Sequence, residues 1–231
     1  MVFAGLQKNS LIDYPGKVAC VLFVSGCNFS CPFCHNPELA QGHYPQRISM
    51  QDVLDFLEPR IQLLDGVVIT GGEPTLTQGL DDLCRQIHAL GLAIKLDTNG
   101  SRPKILAHFM EHRLVDYVAM DIKTRLDGYT PHLATAPAAQ GVSESVALLM
   151  TGRLDYEFRT TCVRPFVDTA VIADIARTIQ GAQRYVLQPF RATTLLQPDF
   201  FKGIDAEFSL QELEQLKAAA VPWVKSCVVR G

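Results

Sequence analysis

Apolar residues along this chain fall into short strand-length runs that alternate with stretches of helical periodicity. Residues 17–24 (KVACVLFV) form the first apolar run. Ser49 stands three residues before Asp52, a capping-box spacing, ahead of Val53, Leu54, Phe56 and Leu57 at helical intervals. Residues 66–70 (GVVIT) read as a buried strand, and Thr77 as the N-cap of a helix to about Leu90 that Gly91 stops. The unit then repeats: a strand at 93–97, a helix at 102–112 with Pro103 in its first turn, a strand at 117–121, a helix at 143–150 and a strand at 156–163. Asp168 caps a helix to Gln180 ended by Gly181, and residues 185–188 make a sixth strand. Ser209 and Glu212 form a second capping box, and residues 224–229 close the chain as a strand.

Such alternation with short connections implies parallel strands and right-handed crossovers. Six main β/α units are too few for a closed eight-unit barrel. The expectation is therefore an α/β fold, a partial, open (β/α)6 barrel, with residues 1–231 as a single domain. Two irregular stretches, 124–141 and 191–208, follow strands and are expected on the face where such folds place their chemistry. The C-terminal part from about 191 to 231 is the variable segment.

Composition narrows the function classes. Hydrophobic residues make up 48% and charged residues 19%, enough for a substantial core. A net charge of −3 argues against nucleic-acid or anionic-membrane surfaces as partners. No run approaches the roughly 18 apolar residues of a membrane span, and residues 1–10 lack the layout of a secretory signal. The cysteines are odd in number and mostly scattered, unlike a disulfide framework, so the reducing cytoplasm is the expected compartment.

The exceptions to that scatter are Cys27, Cys31 and Cys34, in SGCNFSCPFCHN. One short loop supplies three thiolates, one fewer than a closed four-ligand site needs. A cubane iron–sulfur cluster held this way keeps one iron open to a small molecule. With His35 the same residues could instead make a Cys3His zinc site, or they could be packing cysteines. Cys20, Cys84, Cys162 and Cys227 read as small core hydrophobes.

Further polar groups fall at the C-terminal ends of predicted strands, which a parallel barrel gathers on one rim. Gly71 and Gly72 in GGEP admit a close backbone approach to a ligand, or simply a tight turn. Asp97 and Asp121, with Lys123 just beyond, could together bind a cationic ligand or metal ion, although each alone is an ordinary strand-end carboxylate. Phe33 offers either a stacking surface or packing, and His35 could hydrogen-bond the cysteine loop.

The C-x3-C-x2-C spacing with these rim segments resembles the radical S-adenosylmethionine (SAM) enzymes. Its Cys-His-Asn ending, with Asp97-Thr98-Asn99 and Asp121-Ile122-Lys123, resembles the activating enzymes of glycyl-radical enzymes. Residues 5–38 resemble the longer class of anaerobic ribonucleoside-triphosphate reductase activating proteins. The resemblance implies that Cys27, Cys31 and Cys34 hold a [4Fe–4S] cluster whose open iron chelates SAM. It assigns Gly71, Gly72 and Glu73 to the methionyl amino group, and Phe33, Cys34 and His35 to the adenine. Asp97, Asp121, Ile122 and Lys123 complete the SAM site, where a monovalent cation near Asp97 and Asp121 is a further candidate. Where pyruvate formate-lyase activators carry a His, this chain has Arg191, in LQPFR, a further cofactor-binding candidate that could pair a carboxylate bidentately.

The implied reaction begins with reduction by flavodoxin or ferredoxin. SAM is then cleaved to methionine and a 5′-deoxyadenosyl radical, which takes a hydrogen atom from a glycine Cα of a partner enzyme. Anaerobic ribonucleoside-triphosphate reductase is the expected partner. The alternatives are activation of pyruvate formate-lyase or another glycyl-radical enzyme, and small-molecule chemistry as in 7-carboxy-7-deazaguanine synthase. A zinc-binding interaction module is the reading from another class.

Overall fold

The computed structural model describes residues 1–43 and 47–230 and comprises two compact units. The first consists of Met1–Asn28, Glu38–Thr98 and Lys104–Val118, the second of Phe29–Pro37, Asn99–Pro103 and Ala119–Gly231. Both are α/β with mainly parallel strands, as the alternation of elements requires.

In the first unit, β1 (Val2–Phe3) leads into β2 (Gly5–Ser10), which runs antiparallel to β3 (Ala19–Val24). The short helix α1 (Pro37–Gln41) and strand β4 (Ile48–Ser49) follow, and β4 pairs antiparallel with β1. Helix α2 (Met50–Leu57) opens with the predicted capping box between Ser49 and Asp52 and buries Val53, Leu54 and Leu57. Then come β5 (Gly66–Gly71), α3 (Leu80–Ala89), β6 (Ala93–Thr98) and α4 (Pro103–Glu111). β3, β5 and β6 pair in parallel, with Val21, Val68 and Lys95 in one register line and Leu22, Ile69 and Leu96 in the next. The near-continuous burial of β3 and β5 is what a parallel strand covered on both faces demands.

Strand β7 (Tyr117–Asp121) begins in the first unit and ends in the second. The second unit continues with α5 (Ala136–Leu149), β8 (Asp155–Cys162), α6 (Thr169–Thr178), β9 (Tyr185–Pro189), α7 (Leu210–Ala220) and β10 (Cys227–Val229). β8, β9 and β10 pair in parallel, with Phe158, Tyr185 and Cys227 in line. Asp168 caps α6 by accepting from the Val171 N–H, and Ser209 and Glu212 form the second capping box at α7. Glu157 on β8 is fully buried and accepts from Nη1 and Nη2 of Arg230 at 3.1 and 2.9 Å.

The structure corrects three expectations about the elements and adds a strand that the sequence pattern does not announce. Thr77 does not cap α3; Gly79 does, in the left-handed region, and Thr77 ends a short 3-10 turn, Pro74–Leu76, that Glu73 caps. Strand β2 was illegible because an edge strand that exposes Gln7, Lys8 and Asn9 shows no apolar alternation. Helix α5 starts at Ala136, inside the stretch expected to be irregular, because Ala-Pro-Ala-Ala is a sound helix start with proline in the first turn. The final strand is confined to Cys227–Val229. Among the described residues, no helix is long and apolar enough to cross a membrane.

Candidate functional site

Within the first unit, two loops meet backbone to backbone. β3 runs out at Val24, and the chain is then pinned to α1: Gly26 N–H donates to the Leu39 carbonyl at 2.7 Å and Cys27 N–H to that of Ala40 at 3.0 Å. β5 ends at Gly71, whose φ of +115° lies outside what a side chain tolerates. Gly72 N–H then donates to the Val24 carbonyl at 2.9 Å and Glu73 N–H to that of Gly26 at 2.8 Å. A Cβ on Gly72 would land on the Gly26 carbonyl oxygen, so the second glycine is a steric requirement. The two glycines therefore serve the approach of this turn to the start of the cysteine loop.

Glu73 is fully buried, and its Oε1 accepts from Thr75 N–H at 3.1 Å, the Thr75 hydroxyl at 2.6 Å and the Thr98 hydroxyl at 2.7 Å. That carboxylate oxygen holds the turn and ties it to the end of β6. Asp97 follows Lys95 by two residues on β6, so both project to one face. Lys95 is only 1% exposed and its ammonium donates to Asp97. A lysine is almost never buried to that degree without a counter-charge.

In the second unit, Cys31 and Cys34 bracket a reverse turn in which Cys34 N–H donates to the Cys31 carbonyl at 3.0 Å. Pro32 occupies the second position of that turn, where its fixed φ is favourable. Asp121, at the end of β7, accepts from Lys123 Nζ and from Arg159 Nε on β8, both at 2.7 Å. Burial alone pushes the Asp121 carboxyl up, but the Arg159 guanidinium and the Lys123 ammonium overcome it and hold it well below the usual range. Burial likewise pulls Lys123 down, and the charges of Asp121 and then Cys31 hold it above the usual lysine range. The Tyr129 hydroxyl accepts from Lys123 N–H at 2.9 Å and locks the backbone beside this network. Ile122 is buried and donates its N–H to the Arg159 carbonyl at 2.8 Å.

Phe33 is buried with its ring 5.3 Å from that of Phe166, and His35 lies 5.3 Å from Phe190. Partial desolvation, then the Lys123 charge, lowers the His35 pKa below the usual histidine value, in favour of the neutral imidazole. Arg191 is exposed and pairs with Glu207 at 3.0 Å. The structure thus joins Asp121 and Lys123 in one network and pairs the exposed Arg191 with Glu207. Sequence reasoning missed Arg159, Lys95 and Tyr129. The signal for Lys95 was present, as a lysine two residues before Asp97 in an otherwise apolar strand. Arg159 and Tyr129 lie far along the chain from Asp121 and gave none.

The donor set suits the cluster that the cysteine motif implies. None of the three loop cysteines is tied up in a disulfide, Cys31 is buried and Cys27 and Cys34 are half-buried, and Cys31 is one of the groups whose charge acts on the Lys123 ammonium. Among the described residues no three His, Cys, Asp or Glu side chains converge on a single point as a metal site. A cubane needs no such convergence, since each thiolate binds a different iron. The two carboxylates proposed for a monovalent cation are each met by a protein cation, Asp97 by Lys95 and Asp121 by Lys123 and Arg159.

Residues 21–138 match the family model of the radical SAM superfamily. A protein of Methanocaldococcus jannaschii named "Putative glycyl-radical enzyme activating enzyme" is 30% identical, over 98% of this chain and 95% of its own. The pyruvate formate-lyase-activating enzyme of Clostridium pasteurianum is 22% identical over 91% of this chain and 90% of its own. Among solved structures, a radical SAM methyltransferase from Sphaerobacter thermophilus superposes with a TM-score of 0.71 at 14% identity, over 94% of this chain and 67% of that one. That last likeness is one of fold.

Proposed function

The chain belongs to the radical SAM superfamily, and on that footing we propose that it is an activating enzyme that installs a glycyl radical on a partner protein. It is an enzyme whose cofactors are a [4Fe–4S] cluster and SAM. The observation that carries the activating role is the end-to-end match, over 98% of the chain, to a relative of that name. The residues fit it: Cys27, Cys31 and Cys34 would hold the cluster, with the Lys123 ammonium within electrostatic reach of Cys31. A cluster held by Cys27, Cys31 and Cys34 would supply the one-electron reduction that splits SAM to methionine and a 5′-deoxyadenosyl radical.

The protein's own work is positional. The Gly71-Gly72 turn fixes backbone carbonyls and Glu73 anchors that turn. These groups are assigned to the methionyl end of SAM, with Asp97, Asp121, Ile122 and Lys123 around it and Phe33, Cys34 and His35 toward the adenine. Hydrogen-atom abstraction requires near contact, so the partner's glycine segment must reach this site. We assign the segments 124–141 and 191–208 to its entry. Anaerobic ribonucleoside-triphosphate reductase is the proposed partner, from the likeness of residues 5–38, with flavodoxin or ferredoxin as donor in the cytoplasm.

The test is anaerobic. The protein is reconstituted with iron and sulfide, visible and EPR spectra are recorded, and 5′-deoxyadenosine is assayed after SAM and dithionite are added. Candidate glycyl-radical enzymes are then screened for the glycyl EPR doublet. A brown protein that cleaves SAM and yields a doublet on the reductase supports the proposal. SAM cleavage with turnover of a free small molecule and no doublet on any partner refutes the activating role.

A further inference from the structure

Within the second unit, the segment after β9 is bound along the cysteine loop. Leu196 N–H donates to the Cys34 carbonyl at 3.2 Å and Gln197 N–H to that of Pro32 at 3.1 Å. Gln197 Nε2 reaches the Ser30 carbonyl at 3.4 Å. Alternate carbonyls of the loop are thus held from one side, while Ser30 N–H is fixed by the Leu133 carbonyl at 2.9 Å.

Aromatic rings repeat the pattern beneath the backbone. Phe33 lies 5.3 Å from Phe166, which stacks on Phe200 at 5.4 Å, and Phe200 meets Phe201 edge-on at 5.1 Å. Phe201 stacks on Phe190 at 5.8 Å, and Phe190 lies 5.3 Å from His35. The chain of rings begins and ends on the two residues that flank Cys34. Phe200 and Phe201 sit in the 3-10 turn Pro198–Phe201, directly after the two donating amides.

We propose that residues 196–201 are a strap that presets the conformation of residues 30–35 for cluster binding, with Leu196, Gln197, Phe200 and Phe201 as positioning residues. This rests on the assignment of Cys31 and Cys34 as cluster ligands. A free loop that carries two of three thiolates would lose its backbone entropy when the cluster binds. A loop already held in place loses little then, so the cluster binds more tightly and leaves more slowly.

Hydrogen–deuterium exchange on the full, iron-free chain tests the strap without any cluster. In a Phe200→Ala/Phe201→Ala variant, peptides covering residues 28–36 are expected to exchange about tenfold faster, roughly the loss of one or two hydrogen bonds. Peptides from β8 and β9 should be unchanged. If residues 195–202 loosen and 28–36 do not, the strap is overturned. After anaerobic reconstitution, a chelator should strip iron about tenfold faster from the variant, with a shifted reduced-cluster EPR signal, and Phe200→Tyr/Phe201→Tyr should restore both. Unchanged iron loss and spectrum also overturn it. Should the double variant not fold, Phe200→Leu carries the same comparison. A native protein that takes up no iron would sink the proposed function, while the exchange experiment would still decide the strap.

Discussion

Gly72→Ala is the sharpest single perturbation of this molecule, because the contact it disrupts is backbone against backbone. The new Cβ would fall on the Gly26 carbonyl oxygen, with the Gly26 carbon at 2.6 Å and its nitrogen at 3.1 Å. No flexible side chain can rotate away, so the turn and the start of the cysteine loop must separate. Overpacking of this kind costs about 1–3 kcal/mol. The hydrogen bonds from Gly72 N–H to Val24 and from Glu73 N–H to Gly26 lengthen with it, at about 1 kcal/mol each. A total of about 3–5 kcal/mol lowers the melting temperature by roughly 6–20 °C in a protein of this size. Gly152→Ala is the control: φ is +68°, yet a Cβ there meets nothing within 4 Å. Its cost is conformational alone, about 1 kcal/mol, or roughly 2–4 °C. Calorimetry on iron-free protein measures both, and iron content after reconstitution should fall in Gly72→Ala alone, since Gly26 adjoins Cys27. Equal melting temperatures and equal iron would refute the steric argument.

Other perturbations separate the remaining parts of the site. Cys31→Ala should abolish cluster assembly, and an undiminished iron-to-protein ratio would count against the three-thiolate assignment. Asp97→Asn leaves the Lys95 ammonium buried without its counter-charge and should cost about 3–5 kcal/mol in urea unfolding, whereas Lys95→Met/Asp97→Asn should cost less than Asp97→Asn alone. Asp121 has a depressed folded pKa, so its contribution is present above about pH 3.9, the unfolded value, and is lost as pH falls through the folded one. Arg159→Met raises the folded value, and acid unfolding followed by circular dichroism should begin at higher pH; an unmoved midpoint would show that Arg159 does not hold the carboxylate. Burial pushes Cys20, Cys84 and Cys162 up to about 12 and Cys227 up to about 11. Iodoacetamide at pH 8 should therefore label Cys27 and Cys34 in the native iron-free protein and spare those four until unfolding, as read by peptide mass spectrometry.

The class of fold and the superfamily were legible in the sequence because they depend on local rules. Apolar runs of strand length, capping boxes at Ser49 and Ser209, and helix stops at glycine are written in neighbouring residues. So is the cysteine spacing. A polar edge strand such as β2 carries no periodic signal, and the start of α5 was hidden because alanine and proline serve loops and helix starts alike.

What only the tertiary structure decided is which groups neutralise one another. Asp121 meets Arg159 from the adjoining strand, and Glu73 meets Thr98 across 25 positions of sequence. Gly72 is glycine because of Gly26, and the cysteine loop is held by Leu196 and Gln197, more than 160 residues further on. Each is a pairing of partners that the chain brings together only on folding, so no local pattern announces it. Burial then sets its strength, because a charge or amide removed from water must find its partner within the protein. The sequence by itself determined what chemistry this chain carries; the pairings that hold that chemistry in place come from the fold.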